Sequence, residues 1–229
     1  TAWSVPPRRT VASSAIAHPD NAAGASALRP VIVTSTTPMV LVVRASMPVH
    51  DAREFARYLS TRSGTTYGSA GVGNATHLCA AELVERLGVD ATHVPYNGST
   101  PALGDLMGGH IDFLTMGATP GLSQQAAVRM LAVSTRSRSR LPGLDGLPTI
   151  AETGVKGYEV YEWNAIVAPA GTPAPVMSKL AAALRAALDA PDVRERIAGL
   201  GGEVFTGGTT ESVKFLGDQT AFWGKVVKD

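Results

Sequence analysis

Thr65-Thr66-Tyr67-Gly68-Ser69-Ala70-Gly71-Val72-Gly73-Asn74-Ala75-Thr76-His77 decides how the chain is read. Its first three residues are β-branched or aromatic and predict a short strand. Gly68, Gly71 and Gly73 then let the backbone turn tightly and bring its N–H groups close to a ligand. Beyond them Ala75, Cys79, Leu83, Val84 and Leu87 recur at helical spacing, which predicts a helix with one apolar face. Strand, glycine-rich turn and helix in succession open a βαβ unit. The first turn of such a helix carries unpaired N–H donors and the positive end of the helix dipole, so it favours an anion. Ser69, Asn74, Thr76 and His77 add polar groups around that turn, and with Gly71 they form the first candidate binding loop.

Outward from this stretch the rhythm repeats. Residues 91–96 predict a strand, and Asn97-Gly98-Ser99-Thr100-Pro101 turns into a helix with Leu103, Leu106 and Met107 inward. Thr100 is the expected N-cap, with Pro101 at the first helical position. Asn97, Gly98 and Ser99 are the second candidate loop, because ligands of open α/β sheets settle at the carboxyl ends of strands. Strands are further expected at 111–116, 129–135 and 158–168, and helices at 48–59, around Gln124, after Pro173, at 191–200 and after Glu211. Ahead of all these, Val31-Ile32-Val33 and residues 39–43 read as two strands broken by Ser35-Thr36-Thr37-Pro38. The class is α/β, with parallel βαβ units.

Composition narrows the function. The chain has 229 residues, 45% hydrophobic and 17% charged, with a net charge of +1, so it has the means for a core and lacks the basic surplus of a nucleic-acid binder. Its one cysteine, Cys79, excludes an internal disulfide and reads as a small buried hydrophobe. Thr1-Ala2-Trp3-Ser4 opens without a secretory pattern of basic then apolar residues, and 1–29 read as irregular. The glycine loop has no Gly-Lys-Ser/Thr, no third glycine of a dinucleotide fingerprint and no Gly-x-Ser-x-Gly. Of five histidines only His77 falls in a candidate site, and none pairs at metal-ligand spacing, so neither metal nor cofactor is expected. Glu152, Glu159 and Glu162 read as solvated, and Arg129, Arg136, Arg138 and Arg140 as a solvated turn without acids.

Residues 67–78 resemble a stretch of the Bug-type solute-binding receptors of tripartite tricarboxylate transporters. Val94-Pro95-Tyr96-Asn97-Gly98-Ser99, Gly109-His110-Ile111-Asp112, Leu147-Pro148-Thr149-Ile150-Ala151-Glu152 and Ala168-Pro169-Ala170-Gly171-Thr172-Pro173 are similar to that family in order and spacing. The resemblance covers about Pro30 to Lys228 and implies a type II periplasmic-binding-protein fold, two lobes closing over a small carboxylate. It also implies a periplasmic receptor without catalytic residues that delivers its ligand to membrane permease subunits. The implied ligand residues are Ser69, Gly71, Asn74, Thr76, His77, Asn97, Gly98 and Ser99.

The departures from the family are specific. Thr1 to Arg29 does not match the family's opening strand, loop and helix, which makes the first lobe incomplete. Ala75 stands where members often carry Ser or Thr, and no Asp follows Phe113-Leu114-Thr115-Met116-Gly117. The expected organisation is an unmatched 1–29, a partial first lobe of 30–47 plus 157–229, a second lobe of 48–135, and a connection at 136–156. A truncated, non-transporting relative is the second reading. An enzyme using the loop at 68–74 is the third.

Overall fold

The first strand organises the molecule. In the computed structural model, which describes residues 27–226, β1 (Leu28–Arg44) runs unbroken for 17 residues. The break expected at Ser35 to Pro38 does not occur, because the two ends of β1 are held by different partners. Residues 28–38 pair antiparallel with β6 (Tyr161–Pro169). Residues 39–44 pair antiparallel with β4 (Phe113–Gly117) and β5 (Val128–Val133). The exchange falls after Pro38, which has no N–H to leave unpaired. The next donor, Met39 N–H, is taken by Ser134 Oγ at 3.0 Å. The same hydroxyl donates to Val160 C=O at 2.5 Å, and Val160 N–H returns to Ser134 C=O at 3.0 Å. One serine thus closes the ladder where β1 passes between sheet halves.

The larger half has strand order β3-β2-β4-β1-β5, with β2 at Thr65–Ser69 and β3 at Ala91–Pro95. β2 is parallel to β3 and β4, as the βαβ pattern predicts, whereas β1 is antiparallel to β4 and β5. The sheet is therefore mixed, because a strand arriving from the other half inserts at its centre. Side chains of β1 alternate between two cores, as the pleat requires. Met39, Leu41 and Val43 join a cluster with Phe55, Cys79, Leu83 and Phe113, under α1 (Ala52–Ser60) and α2 (Ala75–Leu87). Val40 and Val42 join Leu103, Leu106, Leu114 and Leu144 on the opposite face, under α3 (Ser99–Gly108) and the short α4 (Ala118–Ser123). Cys79 is fully buried, as expected, with its Sγ 3.0 Å from the Tyr158 hydroxyl.

The smaller half consists of β6, the outer part of β1 and β7 (Glu203–Val204), with α5 (Ala174–Asp189) and α6 (Pro191–Gly199). Among the described residues its own buried cluster is only Val31, Ala168 and Met177. The last helix, α7 (Thr209–Val226), ties the halves together. Ser212 Oγ accepts from Val33 N–H at 2.9 Å, while Trp223, farther along the helix, packs on the larger half's core. The stretch 30–47 consequently contributes strand to both halves. The irregular reading of 1–29 lies outside the described residues except at Ala27, in a turn, and at Leu28 and Arg29, which begin β1. Among the described residues no helix is long and apolar enough to cross a membrane.

Candidate functional site

The parallel strands β2, β3 and β4 end at Ser69, Pro95 and Gly117, so the loops that follow share one edge of the sheet. The same edge is where β1 and β6 cross between halves. Here lies a cleft with three parts. A recess too narrow to admit a water molecule is lined by Ser69, Ala70, Thr76, Ser99, Thr115 and Met116. A polar groove of about 810 Å³ has Ser35, Thr37, Glu162 and Asn164 on one wall and Ser99, Gly117 and Thr119 on the other. The third part, an apolar groove of about 690 Å³, runs between Gly73, Ala75 and Leu78 and the aromatic rings of Tyr161, Trp163 and Trp223. Ser99 lines the recess and the polar groove, while Glu162 lines both grooves.

The first candidate loop is built mostly from its own hydrogen bonds. Asn74 caps α2, its Oδ1 accepting from Thr76 N–H at 3.0 Å and from the Thr76 hydroxyl at 3.2 Å. Thr76 Oγ1 accepts from Ala70 N–H at 2.8 Å, and its carbonyl accepts from Thr115 Oγ1 at 2.8 Å. Ser69 Oγ accepts from Gly71 N–H at 3.1 Å and lies 2.6 Å from His93 Nε2. Gly71 turns at φ +132°, a conformation L side chains rarely adopt. Most of these polar side chains therefore shape the loop, and with Thr76 N–H taken by the Asn74 cap, Ala75 and His77 supply the remaining first-turn N–H groups of α2.

His77 takes no part in lining the recess or either groove. Its ring stacks on His93 at 3.9 Å, and its Nδ1 accepts from Gly73 N–H at 3.2 Å. His93, read from the sequence as a surface or loop residue, is instead half-buried between His77 and Tyr67. Burial, then the neighbouring His77, pushes His93 down to about 4, and burial also lowers His77. Both rings are neutral at pH 7.

The second loop opens α3 differently from its expected form. The N-cap is Gly98 at φ +111° and not Thr100, which lies inside the first turn. A glycine supplies no side-chain acceptor, so this first turn has no side-chain cap hydrogen bond. Asn97 is exposed, and Ser99 alone of the three lines the cleft recess. The loops meet directly through Tyr96 N–H, which donates to Ser69 C=O at 3.0 Å.

Three further readings are corrected on the same wall. Arg136 and Arg138 do have acidic partners, Glu159 at 2.9 Å and Glu152 at 3.0 Å. Glu162 differs from these two carboxylates: it is half-buried in the cleft, and burial raises its pKa. The aromatic wall was also not anticipated. Tyr161 and Trp163 read only as strand residues and Glu162 as a solvated one, although their pairing with Pro38, Thr36 and Thr37, beside the exchange, is what brings them to the cleft. Among the described residues no three His, Cys, Asp or Glu side chains converge as a metal site needs.

The model of the tripartite tricarboxylate transporter family receptor matches residues 19–229. The chain belongs to this receptor family. Among relatives, the UPF0065 protein in the tcbD-tcbE intergenic region of Pseudomonas sp. (strain P51) is 36% identical over 200 residues, covering 86% of this chain and 60% of that protein. Among solved structures, R. palustris Rpa4515 with adipate is 33% identical with a TM-score of 0.78, covering 89% of this chain and 69% of that chain. MatC (Rpa3494) from Rhodopseudomonas palustris with bound malate is 30% identical, also at TM-score 0.78, covering 93% and 75%. The expected α/β solute-receptor fold is borne out. This receptor-family chain spans about 60% of the length of the P51 relative.

Proposed function

We propose that the chain acts as a solute-binding receptor, capturing a small carboxylate in the cleft and presenting it to the permease subunits of a tripartite tricarboxylate-type transporter in the periplasm. The observation that carries this reading is the convergence at one sheet edge of two helix starts. The first turn of α3, without a side-chain cap and with Ser99, and the first turn of α2 line adjoining hollows that share Ser99 and Glu162. Burying a carboxylate costs several kcal/mol unless hydrogen bonds replace its water, and backbone N–H groups at helix starts supply such bonds. The family and the adipate- and malate-bound neighbours point to the same ligand class.

In this reading Ser99 and the α2 and α3 N–H groups touch the ligand. Ser69, Gly71, Asn74 and Thr76 hold the first loop in shape, and His77 supports it from beneath the sheet edge. Asn97 and Gly98 set the second helix start. The clamp closes between the larger half, which carries 48–135 and the 39–44 end of β1, and the smaller half made by the 28–38 end of β1 with β6, β7, α5 and α6, with 136–156 linking them. The reading calls on binding groups only and assigns no catalytic residue. Calorimetric titration of the folded protein against a panel of small carboxylates tests it: saturable heat with at least one member is expected, and none with any member overturns it.

A further inference from the structure

Among the described residues Glu162 is the one acidic side chain lining this cleft, and no lysine or arginine among them lines any part of it. Its neighbours in sequence are neutralised: Glu159 pairs with Arg136, and Glu152 with Arg138. Among the described residues Glu162 makes neither a hydrogen bond nor an ion pair, and burial is the sole cause of its raised pKa. Its position is set by the β1–β6 register, in which Thr37 pairs with Glu162 one residue before the exchange at Pro38. The carboxylate reaches across to the end of β4. A Cβ built on Gly117 would lie 3.9 Å from Glu162 Oε2, ordinary van der Waals contact, so the carboxylate stands directly beside the end of β4. On the opposite wall of the same groove stands Ser99, at the start of α3.

We propose that Glu162 sets the ligand class of this cleft, admitting a monocarboxylate whose far end is an uncharged or cationic hydrogen-bond donor and rejecting dicarboxylates. The inference rests on the receptor reading above and narrows it. A ligand with one carboxylate at the helix starts brings its other end toward Glu162. A second carboxylate there meets a like charge in a partly desolvated groove, with no lysine or arginine among the described lining residues to offset it. An amide or ammonium group donates to Glu162 and gives this carboxylate its missing partner. For an ammonium group, the faces of Tyr161 and Trp163 in the adjoining groove add attraction. The ligand class thus departs from the adipate and malate of the two neighbouring structures.

Three probes of one length separate the possibilities: adipate, its monoamide and 6-aminohexanoate, titrated at pH 8 so that Glu162 is ionised. The wild-type chain is expected to bind the monoamide and 6-aminohexanoate at least tenfold more tightly than adipate. Glu162→Gln, which keeps shape and removes charge, is expected to tighten adipate at least tenfold and weaken 6-aminohexanoate. A thermal melt of the variant without ligand establishes that it folds. If adipate binds wild type and E162Q equally, the selectivity role is overturned while the receptor reading stands. If none of the three binds either protein, the selectivity role falls, and the receptor reading then stands or falls on the wider carboxylate panel.

Discussion

The two halves of the molecule are built to different standards of burial. In the larger half β1 feeds two cores, one on each sheet face, and side chains such as Phe113, Leu83 and Leu106 are almost wholly removed from water. In the smaller half the independent core is three residues, and α5 leaves Val176 and Leu180 46% and 40% exposed. Stability therefore resides in the half carrying the helix-start loops, whereas the thinner half contributes Glu162, Trp163 and Tyr161. The rigid half offers donors, and the thinner half determines what may sit opposite them.

Substitutions in the two cores should separate most. Phe113→Ala removes a fully buried ring and is expected to cost about 3–5 kcal/mol. Met177→Ala, in the three-residue cluster, should cost about 2 kcal/mol, the low end for such a change. Urea unfolding midpoints measure both, and a larger loss at Met177 would reverse the comparison. Ser134→Ala tests the junction itself. It strips partners from Met39 N–H and Val160 C=O in a buried place and should cost about 1–3 kcal/mol, read in the same way.

Acid should loosen the larger half through its stacked histidines. Folded His93 sits at about 4 and His77 is also lowered, while unfolded imidazoles lie near 6.5. The unfolded chain thus binds more protons between these limits, so their contribution is full above pH 6.5 and lost as pH falls toward 4. His93→Gln should flatten the fall in stability between pH 7.5 and 5, and an unchanged slope would refute the assignment. The smallest effect belongs to the exposed stripe of α5. Leu180→Lys should change stability by less than about 0.5 kcal/mol, and a larger loss would show that this face is covered.

Much of the architecture is legible in local pattern. The 65–77 stretch announces strand, turn and helix, and Asn74 caps the helix that its spacing predicts. What escapes local reading is pairing between distant segments. Ser35 to Pro38 looks like a break because polar residues and proline interrupt the apolar runs, yet the β6 ladder carries the strand through. His93 looks like surface because nothing nearby shows that its strand lies parallel to β2 with Tyr67 opposite. Thr100 is a sound capping residue overruled by Gly98, whose positive φ lets the helix begin two residues earlier. Glu162 resembles Glu152 and Glu159 until the fold gives those two arginines and leaves the third at the cleft.

Hydrogen–deuterium exchange with and without a bound carboxylate tests the account most directly. The proposed site predicts slowed exchange at the first turns of α2 and α3 together with the start of β6, one wall from each half. Binding that protects some other surface, and leaves these three segments unchanged, would contradict it.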